Sequence, residues 1–229
     1  MMRSVNPSVF LLLLIVNLSI VDAQTMFDRR FQPGYLFGIK AGANVSSQYS
    51  PGSEGVFEVK SIAGINAGGY YGYFINRVLA VQAELSVSGK GSHWREYNYS
   101  QDEAKDILTY FDLPLLLRYQ PAPLINIHAG PQVSYLARAM QYDYSTGLKG
   151  AIDDYYKSLD FGMVFGVEAN LPKNIDLTIR YVRGLISVYA PGGYNYQSFN
   201  NYFQFTAGYR FEREMKLQSK SKTNIKRKR

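Results

Sequence analysis

Between residues 24 and 211 the chain alternates apolar and polar positions with a period of two, in segments of about ten residues. The first segment sets Phe37, Ile39, Ala41, Ala43 and Val45 against Gly38, Lys40, Gly42 and Asn44. The second sets Ile65, Ala67, Gly69, Tyr71 and Tyr73 against Gly64, Asn66, Gly68, Tyr70 and Gly72. The third, Leu79 to Ser88, places Glu84 on its polar face; the fourth, Phe111 to Tyr119, places Asp112, Pro114 and Arg118 there. A fifth segment, Ile125 to Arg138, has His128 and Arg138 on the polar face, and a sixth, Leu159 to Asn170, has Asp160 and Glu168. The seventh, Ile175 to Tyr181, carries Asp176 and Arg180, and the eighth, Phe203 to Phe211, carries Arg210. The pattern predicts eight antiparallel strands.

The connections alternate as well. Asn76-Arg77, Pro121-Ala122-Pro123-Leu124 and Pro172-Lys173-Asn174 are tight, whereas residues 47–61, 89–109, 141–157 and 186–200 are long. Antiparallel neighbours joined in this order put all tight turns at one end, as in outer-membrane barrels with periplasmic turns and longer external loops. Both chain ends then lie in the periplasm. Pro114 cannot donate to a ladder, so a bulge or an irregular stretch near the rim is expected there.

Alternation alone leaves open whether the apolar face points inward, as in a soluble lipocalin-like barrel, or outward to lipid. Three features favour lipid outside. The apolar face carries almost no polar atoms along its length. The polar face is rich in glycine, which suits the narrow lumen of eight strands, where small side chains leave room for large ones. Its cations Lys40, Arg118, Arg138, Arg180 and Arg210 are matched by Glu84, Asp112, Asp160, Glu168 and Asp176, and confined charges need partners. With His128 these residues form the expected lumen charge network. The fold class is therefore all-β: an eight-stranded antiparallel up-and-down transmembrane β-barrel over residues 35–211.

Composition agrees. The 229 residues include 20 Tyr and 20 Gly beside one Trp, which suits strands and turns, and no Cys, which excludes disulfides and thiolate metal sites. Residues 1–23 read as a secretory signal: Arg3, an apolar core from Val9 to Val16, and Val21-Asp22-Ala23 at the cleavage site. Residues 24–34 form an N-terminal periplasmic segment. Residues 212–229 hold eight Lys/Arg against two Glu, most of the formal charge of +7, and read as a basic, disordered periplasmic tail. Adhesion of that tail to an anionic membrane or cell-wall polymer is the alternative. No nucleic-acid partner is expected, because the chain is exported and the tail has no aromatic residue to stack on bases.

Tyrosines collect where segments meet loops, among them Tyr97, Tyr110, Tyr142, Tyr144, Tyr155, Tyr156, Tyr189 and Tyr202. An interfacial girdle explains most of them, and a surface ligand at Tyr-rich loops is the sharper reading. Catalytic chemistry is hard to assemble. Ser92, His93, Asp102 and Asp106 share one loop and could be drawn as a triad, but acid-rich loops are common. Asp153-Asp154 lacks the spaced acids of a calcium loop. No catalytic, metal or cofactor site is expected.

The residues resemble the PorT-like outer-membrane β-barrel family of Bacteroidetes. The resemblance rests on Gly38-Ile39-Lys40-Ala41-Gly42-Ala43-Asn44, Glu84-Leu85 with Lys90-Gly91, and Tyr110-Phe111-Asp112-Leu113-Pro114-Leu115-Leu116-Leu117-Arg118-Tyr119. Ala129-Gly130-Pro131, Asp160-Phe161-Gly162 with Gly166, and Arg180-Tyr181 with Gly184-Leu185 complete it. It implies an eight-stranded outer-membrane barrel in a family whose founding member belongs to the type IX secretion and gliding machinery. The expected role is a non-enzymatic envelope protein with a closed, ion-paired lumen that is structural, adhesive or complex-forming. Its partners would be outer-membrane lipid and other envelope or secretion proteins. A secretion component of the PorT kind and a barrel lipid-modifying enzyme are the alternatives.

Overall fold

The structure is a computed structural model describing residues 34–51, 57–96, 103–190 and 197–211. The expected signal, the segment up to residue 33 and the basic tail lie outside the described residues. Strands β1 (Tyr35–Tyr49), β2 (Phe57–Phe74), β3 (Leu79–Glu96), β4 (Glu103–Ala122) and β5 (Ile125–Asp143) follow one another around the wall. A three-residue β6 (Lys149–Ala151) pairs with the far end of β5, and β7 (Leu159–Leu171), β8 (Ile175–Gly184) and β9 (Phe199–Arg210) continue. Every pairing is antiparallel, and β1 bonds both β2 and β9, with Lys40 opposite Gly68 on one side and Gly208 on the other. The eight-stranded sheet therefore closes on itself. Around the spanning part of the wall closure leaves no free edge, which hydrocarbon demands of a spanning sheet.

The period-two pattern sets which face is which. On β4, Phe111, Leu113, Leu115, Leu117 and Tyr119 are exposed, while Asp112, Pro114, Leu116 and Arg118 are buried. Ile65, at 81% exposed, and Leu85, at 60%, stand on the same outer surface, whereas Glu84 beside Leu85 is at 4%. Apolar rows face outward and charges face the axis. Nine residues from Phe111 to Tyr119, tilted as barrel strands are, rise about 20 Å and cover most of the apolar band. At the end where the chain enters and leaves, Tyr35 packs on Tyr71 and Tyr73, and Phe37 and Tyr209 pack on Phe211. These rings form an aromatic girdle.

The tight turns sit at that same end. Asn76 Oδ1 accepts the amides of Val78 and Leu79, and Lys173 and Asn174 hold φ of 64° and 61° to turn β7 into β8. Three expectations need correcting. First, β2 to β5 run 18 to 20 residues rather than about ten, so most of 89–109 is strand. Beyond the apolar band each face mixes polar and apolar residues, so the alternation fades although the backbone pairing continues. Second, Pro114 causes no bulge: it points into the lumen in mid-strand, and β4 keeps one register with β3 and β5 on either side of it. Third, the bulge of β5 lies at Ala137 instead, since Tyr110 pairs with Leu136 and Thr109 with Arg138. The extra residue turns Arg138 outward, so it leaves the lumen set.

Candidate functional site

Inward positions from six strands meet in a transverse network centred on Glu84. Arg180 on β8 holds Glu84 on β3 with both terminal guanidinium nitrogens, at 2.7 and 2.6 Å, and Lys40 on β1 reaches Glu84 Oε1 at 2.8 Å. Arg180 Nε also donates to His128 Nε2 at 2.8 Å, which makes that nitrogen an acceptor. His128 Nδ1 faces Asn126 Oδ1 at 3.2 Å, and Asn126 donates to Glu168 at 2.7 Å. Arg118 joins Glu168 to Gln82, Gln82 donates back to Glu84, and Thr178 donates to Glu168 at 3.0 Å. Nearer the turns, Tyr70 donates to Asp176 at 2.9 Å, while Arg210 pairs with Asp176 at 3.2 Å and donates to Asn170 at 3.0 Å.

Gly166 makes room for this arrangement. A β-carbon there would fall on His128 Nε2 and on Arg180 Cγ, the latter 2.6 Å away. The glycine on the lumen face is thus the space that the His128–Arg180 contact fills.

A second cluster sits further toward the loops, around Lys90. Its ammonium donates to Asp112 at 2.7 Å and to Ser134 at 3.3 Å, and lies over the rings of Tyr110 and Tyr202 at 4.5 and 4.7 Å. Ser88 donates to the other oxygen of Asp112 at 2.5 Å, and Asp160 accepts from Asn200 at 2.9 Å. Leu116, Val164, Val182 and Tyr202 pack between the two clusters. Lys90 is absent from the sequence-level set because it falls in the span read as a loop. Extending the parity of Ala80, Gln82, Glu84, Ser86 and Ser88 by one step places it inside.

The loop-side mouth is filled by chain. Tyr156, just past a 3-10 turn at Asp153–Tyr155, packs with Val188 onto Leu108, Tyr110, Leu136 and Ala139. Its hydroxyl donates to Asp106 at 2.8 Å and approaches Gln48 at 3.3 Å. Burial pushes the Tyr156 pKa well up, so the hydroxyl keeps the proton it donates. Lys157 N donates to the Val188 carbonyl at 2.7 Å and Val188 N to that of Ser198 at 2.8 Å, tying the two loops together.

Of the eleven expected network residues, Lys40, Glu84, Asp112, Arg118, His128, Asp160, Glu168, Asp176, Arg180 and Arg210 lie inside, each 8% exposed or less. Arg138 lies outside. Tyr110, Tyr156 and Tyr202, read as girdle or loop residues, are buried in the lumen or its mouth. Tyr97 and Asp102 fall outside the described residues. The triad reading fails on parity: Ser92 and Asp106 stand opposite each other and bond Gln48 and Tyr156 inside the barrel, while His93, one residue on, faces out to Glu103 at 2.6 Å. Asp153 accepts the Ala139 amide at 2.7 Å. Among the described residues no three His, Asp or Glu side chains gather as a metal site.

A closed antiparallel wall, apolar outside and charged inside, defines a membrane-spanning β-barrel of the outer-membrane type. Residues 23–190 match the family described as outer membrane protein beta-barrel domain, and the chain belongs to that family and to the outer membrane. Solved structures with a similar fold include Neisserial surface protein A (14% identical, covering 76% of this chain and 96% of that one, TM-score 0.48). The attachment invasion locus protein Ail of Yersinia pestis is 15% identical over 77% and 98% of the two chains, TM-score 0.45. OprG from Pseudomonas aeruginosa is 15% identical over 79% and 97%, TM-score 0.39. No curated protein sequence matches the chain.

Proposed function

We propose that this outer-membrane barrel is a non-conducting, non-catalytic envelope protein whose interior is held shut by ion pairs and whose work is structural, adhesive or complex-forming. The transverse network carries this reading. Lys40, Glu84, Arg180, His128, Glu168 and Arg118 join side chains from strands on opposite sides of the wall, so a solute would have to break several charge-assisted bonds to pass. The Tyr156–Val188 packing at the mouth adds a second barrier. Purified protein in planar bilayers should give no discrete conductance steps in neutral salt; steady channel openings would overturn the closed reading.

Within this class we favour the PorT-like group. Many residues that carry that resemblance, Lys40, Glu84, Lys90, Asp112, Arg118, Asp160, Gly166 and Arg180, are those that build the lumen. Shared lumen chemistry, and not merely shared strand composition, therefore supports the placement. Deleting the gene and assaying protein export and surface motility tests the secretion role: loss of either supports it, and normal export removes it. A lipid-modifying activity would need His93 or His128, and both are held in place by acidic or arginine partners. The double variant His93→Ala with His128→Ala should leave envelope lipid composition unchanged.

A further inference from the structure

Outside the lumen, strand register assembles a feature that neither the fold nor the closed interior requires. Lys60 stands opposite His93, His93 opposite Lys105, Lys105 opposite Tyr142, and Tyr142 opposite Lys149. The five residues form one row across β2, β3, β4, β5 and β6. Neighbouring strands lie about 4.8 Å apart, so the row spans roughly 20 Å. It faces outward, because Ser92, Asp106 and Gln141, the alternate positions on the same strands, bond inside the barrel.

The charge on this face is uneven. The acids lie in the next row away from the membrane, where Glu58 stands opposite Arg95 and Arg95 opposite Glu103. There Glu103 takes Arg95 at 2.7 Å and His93 at 2.6 Å, and Glu58 reaches Lys60 at 3.4 Å. Among the described residues neither Lys105, Lys149 nor Arg138 has a carboxylate within 4.0 Å. Arg138, turned out by the bulge, stands opposite Thr109, one row above the exposed Phe111 and Tyr135 that end the apolar band. Between Arg138 and the lysine row lie Ile107 and Met140. Tyr142 carries Lys149 over its ring at 5.7 Å and meets Tyr144 edge-on at 4.8 Å.

We propose that this face binds the phosphorylated saccharide headgroup of an outer-leaflet glycolipid. Its acyl chains would lie along the Phe111 and Tyr135 rows. Phosphate would meet Arg138 at the interface, and further sugar phosphates would meet Lys105 and Lys149. Tyr142 and Tyr144 supply the flat apolar faces on which sugar rings stack. The surface is continuous with the lipid-facing band, which favours a lipid over a soluble polyanion. It is built on paired strands rather than loops, so its cations are held in place before a ligand arrives. The proposal rests on the outer-membrane placement and not on the closed lumen, so the two fail separately.

The test uses the full chain in detergent, with lipid adducts counted by native mass spectrometry. Rough-type lipopolysaccharide, its dephosphorylated form, phosphatidylglycerol and inorganic phosphate are the probes. The wild type should hold lipopolysaccharide at least tenfold more tightly than phosphatidylglycerol, and dephosphorylation should remove that preference. Lys105→Glu with Lys149→Glu should weaken lipopolysaccharide binding at least tenfold, while Lys173→Glu at the opposite end should not. Heat-modifiable gel migration and the melting midpoint show whether each variant folds; Lys105→Gln with Lys149→Gln serves if the reversal does not. Equal binding by wild type and charge variants overturns the proposal. So does equal affinity for phosphatidylglycerol, or full displacement of the lipid by millimolar inorganic phosphate, which would make the row a general anion site.

Discussion

Arg180 makes more of the interior's bonds than its count of one charge suggests, since it holds Glu84 bidentately and His128 through Nε. Removing one partner from a buried ionic group strands the other and costs about 3–5 kcal/mol. Arg180→Met should therefore lower barrel stability by about that much, read as a shift in guanidinium midpoint with the slope unchanged. Lys40→Met should cost less, because Glu84 keeps its bidentate partner. A double-mutant cycle of Arg180→Met with Glu84→Gln should show strong coupling; additive effects would mean that the pair is not joined. Gly166→Ala should also destabilise, by displacing His128 and Arg180, and Gly166→Ala with His128→Ala should recover part of the loss.

At the scale of elements, the legible part of the fold was whatever had contrast between its two faces. Segments such as Leu79 to Ser88 and Phe111 to Tyr119 put lipid on one side and charge on the other, so strand, face and register could all be read from period two. Contrast ends at Ser88 and at Thr109, and beyond them the strands looked like loops although they continue to Glu96 and back to Glu103. Lys90 was lost there. Arg138 was misplaced for a different reason: a bulge shifts parity without any residue type that announces it, and Ala137 is an ordinary strand residue. Pro114 misled in the opposite direction, because a single missing donor leaves the flanking pairs free to hold register.

The turn between β5 and β6 makes a pH prediction at this scale. Asp143, beyond the apolar band, accepts the amides of Ser145 at 2.7 Å and Thr146 at 3.2 Å, and these backbone donors hold its carboxyl below the usual Asp range. A depressed carboxyl stabilises its turn above the unfolded pKa, and that contribution disappears as pH falls through the folded pKa. The Ser145 and Thr146 amide resonances should thus titrate together in acid, with a midpoint below that of an exposed aspartate. In Asp143→Asn the transition should vanish. A midpoint at or above the ordinary value would contradict the turn geometry.

For the whole molecule, the arrangement follows from two solvents. Lipid selects the outer rows, and the enclosed polar atoms must satisfy one another because neither lipid nor bulk water reaches them. A cation on the outer surface at mid-band has no such partner, so Leu115→Arg should cost about 2–4 kcal/mol in a bilayer. The same change at the exposed Leu148, in the turn above the band, should cost little. Unfolding from lipid vesicles in denaturant measures both, and equal costs would place the bilayer elsewhere on the wall.

The natural absence of cysteine allows the most direct test. Single cysteines at Leu85, Leu113 and Leu115, and at the inward Ser86, Ser88 and Gln132, would carry a nitroxide in bilayer vesicles. Power-saturation electron paramagnetic resonance then compares collision with oxygen, which dissolves in lipid, and with a water-soluble nickel chelate. Collision with oxygen should be high and with nickel low at the first three sites, and the inward three should show restricted motion with little of either. Inward sites open to oxygen, with Leu85, Leu113 and Leu115 shielded from it, would contradict the claim that lipid wets the apolar rows and charge fills the axis.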